Sequence, residues 1–310
     1  MAADNPRKVQ ESGRSSDHVA MGLMLAMLGF AGLSVGDAII KSIAGAWPGT
    51  AVSLLRYVIG TAGLLVALLI VEGKQGLRCP MPWIQLARGV TISLGSVCFF
   101  SAIFLMPLAD ATAIQFTSPM FAALFSALIL RERMPLVAWI ATLVAFVGVL
   151  MVLRPNFATL GWAALLPMGT AIGMSLNMIL NRMVSQAGSA LLMQLLVSAI
   201  AIPVLAVATA FGHFSGIEAL HVTVPDWTIV ARIAVVACTA TVALMLIYLA
   251  TTKASAAVTA PMTYVQILVA LGLGMLFYQD YPDPLALGGA ALIIAAGLWL
   301  WSRQRVPPAR

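Results

Sequence analysis

The chain has 310 residues, of which 61% are hydrophobic and 9% charged, with a formal net charge of +6 and a mean hydropathy of +1.00. A soluble domain carries roughly 25% charged residues, and a fold this apolar has too few polar side chains to cover its surface in water. An ordinary soluble domain is therefore excluded, and the dispersed basic residues read as membrane-topology signals rather than a nucleic-acid surface.

A membrane helix needs about 20 mostly apolar residues. After a polar start through Asp17, the chain divides into ten such segments: 20–41, 49–71, 83–106, 110–130, 135–153, 159–181, 189–210, 227–250, 254–277 and 284–301. The first apolar run, Val19 to Ile43, is longer than the roughly 7–15 residues of a signal-peptide core and reads as a retained helix. Proline-rich breakers such as Trp47-Pro48, Cys79-Pro80-Met81-Pro82, Arg154-Pro155 and Tyr281-Pro282-Asp283-Pro284 separate the segments. The longest connection, Phe211 to Asp226, has no room for a soluble domain.

The basic residues orient this arrangement. With the N-terminus in the cytoplasm, Arg7, Lys8, Arg14, Lys74, Arg78, Arg88, Arg131, Arg133, Arg182, Lys253, Arg303, Arg305 and Arg310 fall on the cytoplasmic side. Only Lys41, Arg56, Arg154 and Arg232 fall on the other, thirteen against four of the 17. Positive charge is retained on the cytoplasmic side during insertion, so the expectation is ten helices with both termini inside, in a bacterial inner membrane.

The halves resemble each other in order. Asp37 to Lys41 aligns with Asn177 to Asn181, Leu54-Leu55-Arg56 with Leu192-Met193-Gln194, and Arg88 with Arg232. Thr117-Ser118-Pro119-Met120 aligns with Thr259-Ala260-Pro261-Met262, and Pro135 with Pro284. Offsets of about 138 to 149 residues make one repeat five helices long. Five is odd, so the second copy lies inverted, a plan recurrent in secondary transporters. The expected organisation is a polar tail (1–19), a first repeat (20–155), a second repeat (156–302) and a short tail (303–310), in an all-α membrane fold.

An ionisable group within a membrane helix costs about 2.5–3.5 kcal/mol and needs a partner, a cavity or an escape to the interface. Asp37 and Lys41 are four apart and share a helix face, and Arg56 lies inside segment 2. One reading is a charged cluster in a central cavity, Asp37 taking a cation or proton and Lys41 or Arg56 a carboxylate or phosphate. The other is a self-neutralising Asp37–Lys41 pair with Arg56 snorkelling to the interface. Arg88 and Arg232 start segments 3 and 8, where a site role competes with snorkelling. Asn177, Asn181 and Gln194 replace the charges in the second half, as binding amides or as glue between helices. Pro119 and Pro261 remove backbone donors from segments 4 and 9 and kink them. Gln115, Thr117, Ser118, Tyr264 and Gln266 surround those kinks as further site candidates. Gly32/Gly36 and Gly169/Gly173 form small-residue faces for close helix packing. Glu132 and Asp280, at opposite ends of segments 4 and 9, read as helix-end charges holding tight turns. No phosphate-binding loop, CxxC or HExxH occurs, so neither a nucleotide motor, a metal nor another cofactor is expected.

These residues resemble the drug/metabolite transporter superfamily, EamA-domain type. The resemblance rests on Arg88-Gly89, on the run from Pro107 through Asp110 and Gln115 to Pro119, on Leu130-Arg131-Glu132-Arg133-Met134-Pro135, and on Ala260-Pro261-Met262-Thr263-Tyr264. It covers about residues 20–301. It implies two inverted EamA repeats around a central cavity with alternating access. The Asp37, Lys41 and Arg56 pattern and the Ala260-Pro261-x-x-Tyr264 element are similar to members that carry S-adenosylmethionine or riboflavin; other relatives export amino acids. Asp280 stands where that subgroup often has Glu. The expected function is a secondary transporter of a small polar or amphiphilic metabolite, an amino acid or derivative, zwitterion or organic cation being favoured. A proton or another ion is the expected coupling partner, and a monomer or homodimer in the bilayer the expected state. An organic-anion or vitamin carrier and a non-transporting membrane regulator are the alternatives. A membrane enzyme would need acidic metal clusters or His/Asp pairs, which the sequence lacks.

Overall fold

In the computed structural model, the structure describes residues 6–129, 136–184, 187–253 and 260–303, and every regular element among them is helical. The elements are α1 (Pro6–Lys41), α2 (Gly49–Val71), α3 (Pro82–Leu105), α4 (Leu108–Gln115), α5 (Ser118–Ile129), α6 (Leu136–Leu160), α7 (Leu166–Val184), α8 (Ala190–Phe214), α9 (Trp227–Lys253), α10 (Val265–Tyr278) and α11 (Pro284–Arg303). The turn containing Glu132, with Arg131, Arg133 and Pro135, lies outside the described residues, as do Ala254 to Thr259.

Six helices among the described residues are long and apolar enough to cross a membrane: Ala20–Lys41, Gly49–Val71, Pro82–Leu105, Phe157–Asn181, Ala190–Phe214 and Trp227–Ile247. Shorter apolar helices run over Trp139–Arg154, Met262–Tyr278 and Pro284–Leu300. Their outer faces carry Val66, Ile70, Leu143, Val242 and Leu268, all exposed. So much exposed aliphatic surface on the flanks of long helices is suited to lipid. The chain is a multi-pass helical membrane protein.

Segment 4 is broken rather than kinked. Pro119 supplies no N–H to the Gln115 carbonyl, so α4 stops at Gln115. The Thr117 hydroxyl then turns back on the Ile114 carbonyl at 2.7 Å, and α5 restarts at Ser118. Segment 9 is likewise irregular, with the 3-10 turn Ala260–Tyr264, which contains Pro261, before α10.

The packing partners follow from small residues. On α7, Gly169, Gly173, Asn177 and Asn181 recur every four residues and make one stripe facing α3. A Cβ at Gly173 would sit 2.7 Å from the Thr91 carbonyl oxygen and 2.9 Å from the Gly95 nitrogen, so only glycine permits this approach. On α1, a Cβ at Gly29 would sit 2.8 Å from the Ala243 carbonyl oxygen of α9, and Gly36 faces Thr239. Thus α1 packs on α9 and α10, while α7 packs on α3 and α5; α2 pairs with α8, and α6 with α11. The main buried cluster, including Ile40, Val52, Phe100, Ile103, Ile114 and Ile267, joins α1 to α4 and α10 and surrounds the site.

Candidate functional site

The rise of 1.5 Å per residue fixes depth. Asp37 lies one turn inside the Lys41 end of α1, about 6 Å in. Arg56 lies seven residues inside the same end of α2, about 10 Å in. The Asp37 carboxylate accepts a hydrogen bond from Gln266 Nε2 of α10 at 3.1 Å. Gln266 is itself held by Ser34, whose hydroxyl donates to the Gln266 carbonyl at 3.1 Å. Arg56 takes aromatic rather than acidic company: its guanidinium carbon is 5.3 Å from the Phe100 ring centroid and 5.7 Å from that of Tyr57. The Tyr57 hydroxyl is fixed by Ser96 Oγ of α3 at 3.0 Å. Asp37 and Arg56 carry opposite charges at neighbouring depths from the same end of the bundle. Among the described residues, however, the one ion pair within 4.0 Å is Lys41 with Asp280. An acid and a base thus face the same interior without closing on each other.

The two broken helices meet beside this pair. Phe116, at the break after α4, contacts Tyr264, at the end of the 3-10 turn before α10, with ring centroids 5.7 Å apart. The Tyr264 ring packs so close to Gly297 of α11 that its hydroxyl occupies the space a side chain there would need. Gln115 and Ser118 flank the break on the α4 and α5 sides. Irregular backbone at depth is tolerated where it lines a cavity or is covered by protein, and paired discontinuous helices are where transporters of this plan bind their cargo.

Lys41 does not pair with Asp37. It donates to the Asp280 carboxylate and to the Met106 carbonyl at 2.9 Å, and lies 5.3 Å from the Tyr278 ring centroid. The Tyr278 hydroxyl donates to the Ala38 carbonyl. Gln279 makes this possible: its left-handed conformation (φ 53°) ends α10 and lets the Asp280 N–H return to the Gly274 carbonyl at 3.1 Å. That turn aims Asp280 at Lys41. Arg232 joins the same end, donating to the Ser42 carbonyl at 3.1 Å.

At the opposite end, Arg88 is 4% exposed and does not snorkel. Its Nε donates to Asn181 Oδ1 at 2.6 Å and its Nη1 to the Gln85 side-chain oxygen. Asn181 Nδ2 donates to Asn177 Oδ1 at 2.9 Å, and Asn177 Nδ2 to the Arg88 carbonyl at 3.1 Å. Ser96 lies eight residues beyond Arg88 on α3 and is level with Tyr57, so Arg88 is about 12 Å from the Arg56 level along the bundle.

The sequence candidates therefore separate. Asp37, Arg56, Gln266 and Tyr264 converge, with Gln115, Ser118 and Pro119 at the adjoining break. Lys41 belongs to a clasp at one end, and Arg88, Asn177 and Asn181 to a clasp at the other. Gln194, on the first turns of α8, is exposed and stands apart from both. Sequence reasoning passed over Phe100, Phe116, Ser34 and Gln85, whose roles depend on contacts across helices. Gln85, three residues before Arg88 on one helix face, had a readable signal.

Long apolar helices, two interrupted helices touching at their breaks, and an acid and a base held apart inside the bundle define a polytopic membrane carrier. The chain belongs to the EamA-like transporter family, whose match spans residues 20–154. It is 30% identical over 281 residues to the pseudopaline exporter CntI of Pseudomonas aeruginosa, covering 90% of this chain and 95% of that protein. It is 24% identical over 237 residues to an S-adenosylmethionine uptake transporter of Rickettsia bellii, covering 76% of this chain and 78% of that one. A crystal structure 19% identical in sequence, covering 94% of this chain and 99% of its own, matches with a TM-score of 0.59, a likeness of fold. The family and these relatives are transporters of the drug/metabolite type, not enzymes.

Proposed function

We propose that this protein is a secondary transporter of a small metabolite carrying both an ammonium and a carboxylate group, an amino acid or a derivative of one, across a bacterial inner membrane. The observation that carries the reading is the separated pair. Asp37 is held by an amide and Arg56 by aromatic faces, and among the described residues no ion pair within 4.0 Å joins them. Opposite charges in a poorly solvated interior interact several-fold more strongly than in water. A zwitterion placed between them satisfies both, its ammonium on Asp37 and its carboxylate on Arg56. Lys41, whose free charge would have favoured an organic anion, is neutralised by Asp280, which supports the zwitterion reading over the anion reading.

Alternating access between two inverted five-helix repeats, with ten membrane segments and both termini cytoplasmic, is the mechanism we infer. The packing supports it, because exchanging α1 with α7, α2 with α8, α3 with α9, α5 with α10 and α6 with α11 maps the principal helix pairs onto one another. The two clasps support it too. Lys41 and Ser42 of α1 close one end, and Asn181, at the aligned position of α7, closes the other with Arg88, itself aligned with Arg232. Rocking the halves would open one clasp and keep the other shut.

The relatives are named for opposite directions, export and uptake, so both are tested. Purified protein in proteoliposomes would be offered radiolabelled amino acids, S-adenosylmethionine and organic anions, inside or outside, with and without a proton gradient. Saturable flux of a zwitterion is expected. Flux confined to organic anions would contradict the zwitterion reading. No flux for any compound from folded protein would contradict the carrier reading as stated.

A further inference from the structure

We infer that Arg88, with Asn181 and Asn177, forms a second binding site, specific for an oxyanion (a carboxylate or phosphate), about 12 Å along the bundle from the Arg56 level. The argument begins with charge. A guanidinium keeps its proton in proteins, and a buried cation is costly unless an anion compensates it. Arg88 is 4% exposed, and each of its side-chain partners is neutral: Asn181 Oδ1, the Gln85 side-chain oxygen and, at 3.9 Å, Met193 Sδ. The corresponding clasp at the other end has its carboxylate, Asp280 on Lys41. No carboxylate lies within 4.0 Å of Arg88 among the described residues.

One edge of the guanidinium is also only half engaged. Nε and Nη2 form the side-on fork that suits the two oxygens of a carboxylate or phosphate. Nε is taken by one amide oxygen of Asn181. Nη2 makes no hydrogen bond among the described residues, yet it is not among the sealed polar atoms, which are the hydroxyls of Thr50, Thr61 and Thr209. Asn181 cannot fill the second tine, because its own nitrogen is turned to Asn177. An oxyanion reaching Nη2 would supply an acceptor and a compensating charge together, and the second N–H of the Asn181 amide offers a further donor. A soluble anion, including the acidic group of a cargo molecule, and the phosphate of an anionic lipid share this chemistry.

The test reads thermal stability rather than transport, so its failure would leave the Asp37/Arg56 proposal standing. The unfolding temperature of the full chain would be followed by tryptophan fluorescence in neutral detergent, with inorganic phosphate titrated against chloride at matched ionic strength. It would be followed in parallel in phosphatidylcholine nanodiscs with and without phosphatidylglycerol. Wild type and Arg232→Gln are expected to show a saturable rise. Asn181→Asp places a carboxylate beside the guanidinium, against Nε, and is expected to lose the anion response. Arg88→Lys keeps the charge but not the fork and should respond more weakly. A rise with soluble phosphate supports a free oxyanion as the ligand, and a rise confined to phosphatidylglycerol a lipid headgroup. No rise in either setting, or an Asn181→Asp protein that responds as wild type does, would overturn the inference.

Discussion

Asp280→Asn removes the negative partner of Lys41 while leaving an amide oxygen in nearly the same place. Hydrogen bonds to charged groups contribute about 1.5–3 kcal/mol; the Lys41 ammonium keeps such a bond to the new amide oxygen and loses the attraction of the carboxylate charge. The paired side chains are 10% and 23% exposed, so water screens part of the charge and the lower end of the charged range applies. The loss is about 1 kcal/mol, because Lys41 also keeps the Met106 carbonyl and the Tyr278 ring. If this clasp holds one end of the carrier shut, the ratio of open to closed rises roughly fivefold. Ala38 lies three residues inside the clasp and is 7% exposed. Placed in a background with Cys79, Cys98 and Cys238 changed to serine, Ala38→Cys would report opening by its rate of reaction with a membrane-impermeant maleimide. Labelling about fivefold faster in the Asp280→Asn protein is expected. Equal rates would refute the gating role of the pair.

Gly173→Ala should lower stability by about 1–3 kcal/mol in denaturation of the purified protein, because its methyl meets backbone atoms of α3 that cannot yield. Gly60→Ala, with nothing within 4 Å of the new methyl, should not destabilise and is the control. Gly297→Ala places a methyl where the Tyr264 hydroxyl sits. Displacing that ring from Phe116 should cut flux in proteoliposomes at unchanged expression, and adding Tyr264→Phe should restore part of it.

Much of the helical arrangement was legible because the apolar runs are long and several are bounded by proline or glycine; 49–71 and the start at 227 agree with α2 and α9. The small-residue faces on α1 and α7 were legible for the same reason, since spacing alone puts Gly32 with Gly36 and Gly169 with Gly173. Pro119 announced a distortion, but the full interruption at Phe116 and Thr117 also needed the Thr117 hydroxyl to capture a backbone carbonyl. The pairing of Lys41 escaped the sequence because its partner is 239 residues away, and the local alternative, Asp37, shares its helix face. Arg88 carried the signature of a charge at a helix start, and burial beneath α7 and α8 is a tertiary fact. Gln194 aligned with Arg56 by sequence, yet the rotation of α8 leaves it exposed. A repeat alignment fixes which positions correspond, not which way each helix turns its face.

The central claim, that Asp37 and Arg56 divide a zwitterion between them, is tested most directly by competition. Once a transported amino acid is found, its methyl ester presents only the ammonium and its N-acetyl form only the carboxylate. Inhibition of flux by each would be compared in wild type, Asp37→Asn and Arg56→Gln. In wild type the zwitterion should compete at least about tenfold better than either analogue, the ratio that 1.4 kcal/mol provides. Asp37→Asn should erase the advantage over the N-acetyl form alone, and Arg56→Gln the advantage over the ester alone. Variants that preserve the wild-type ranking, or that weaken all three compounds equally, would contradict the account.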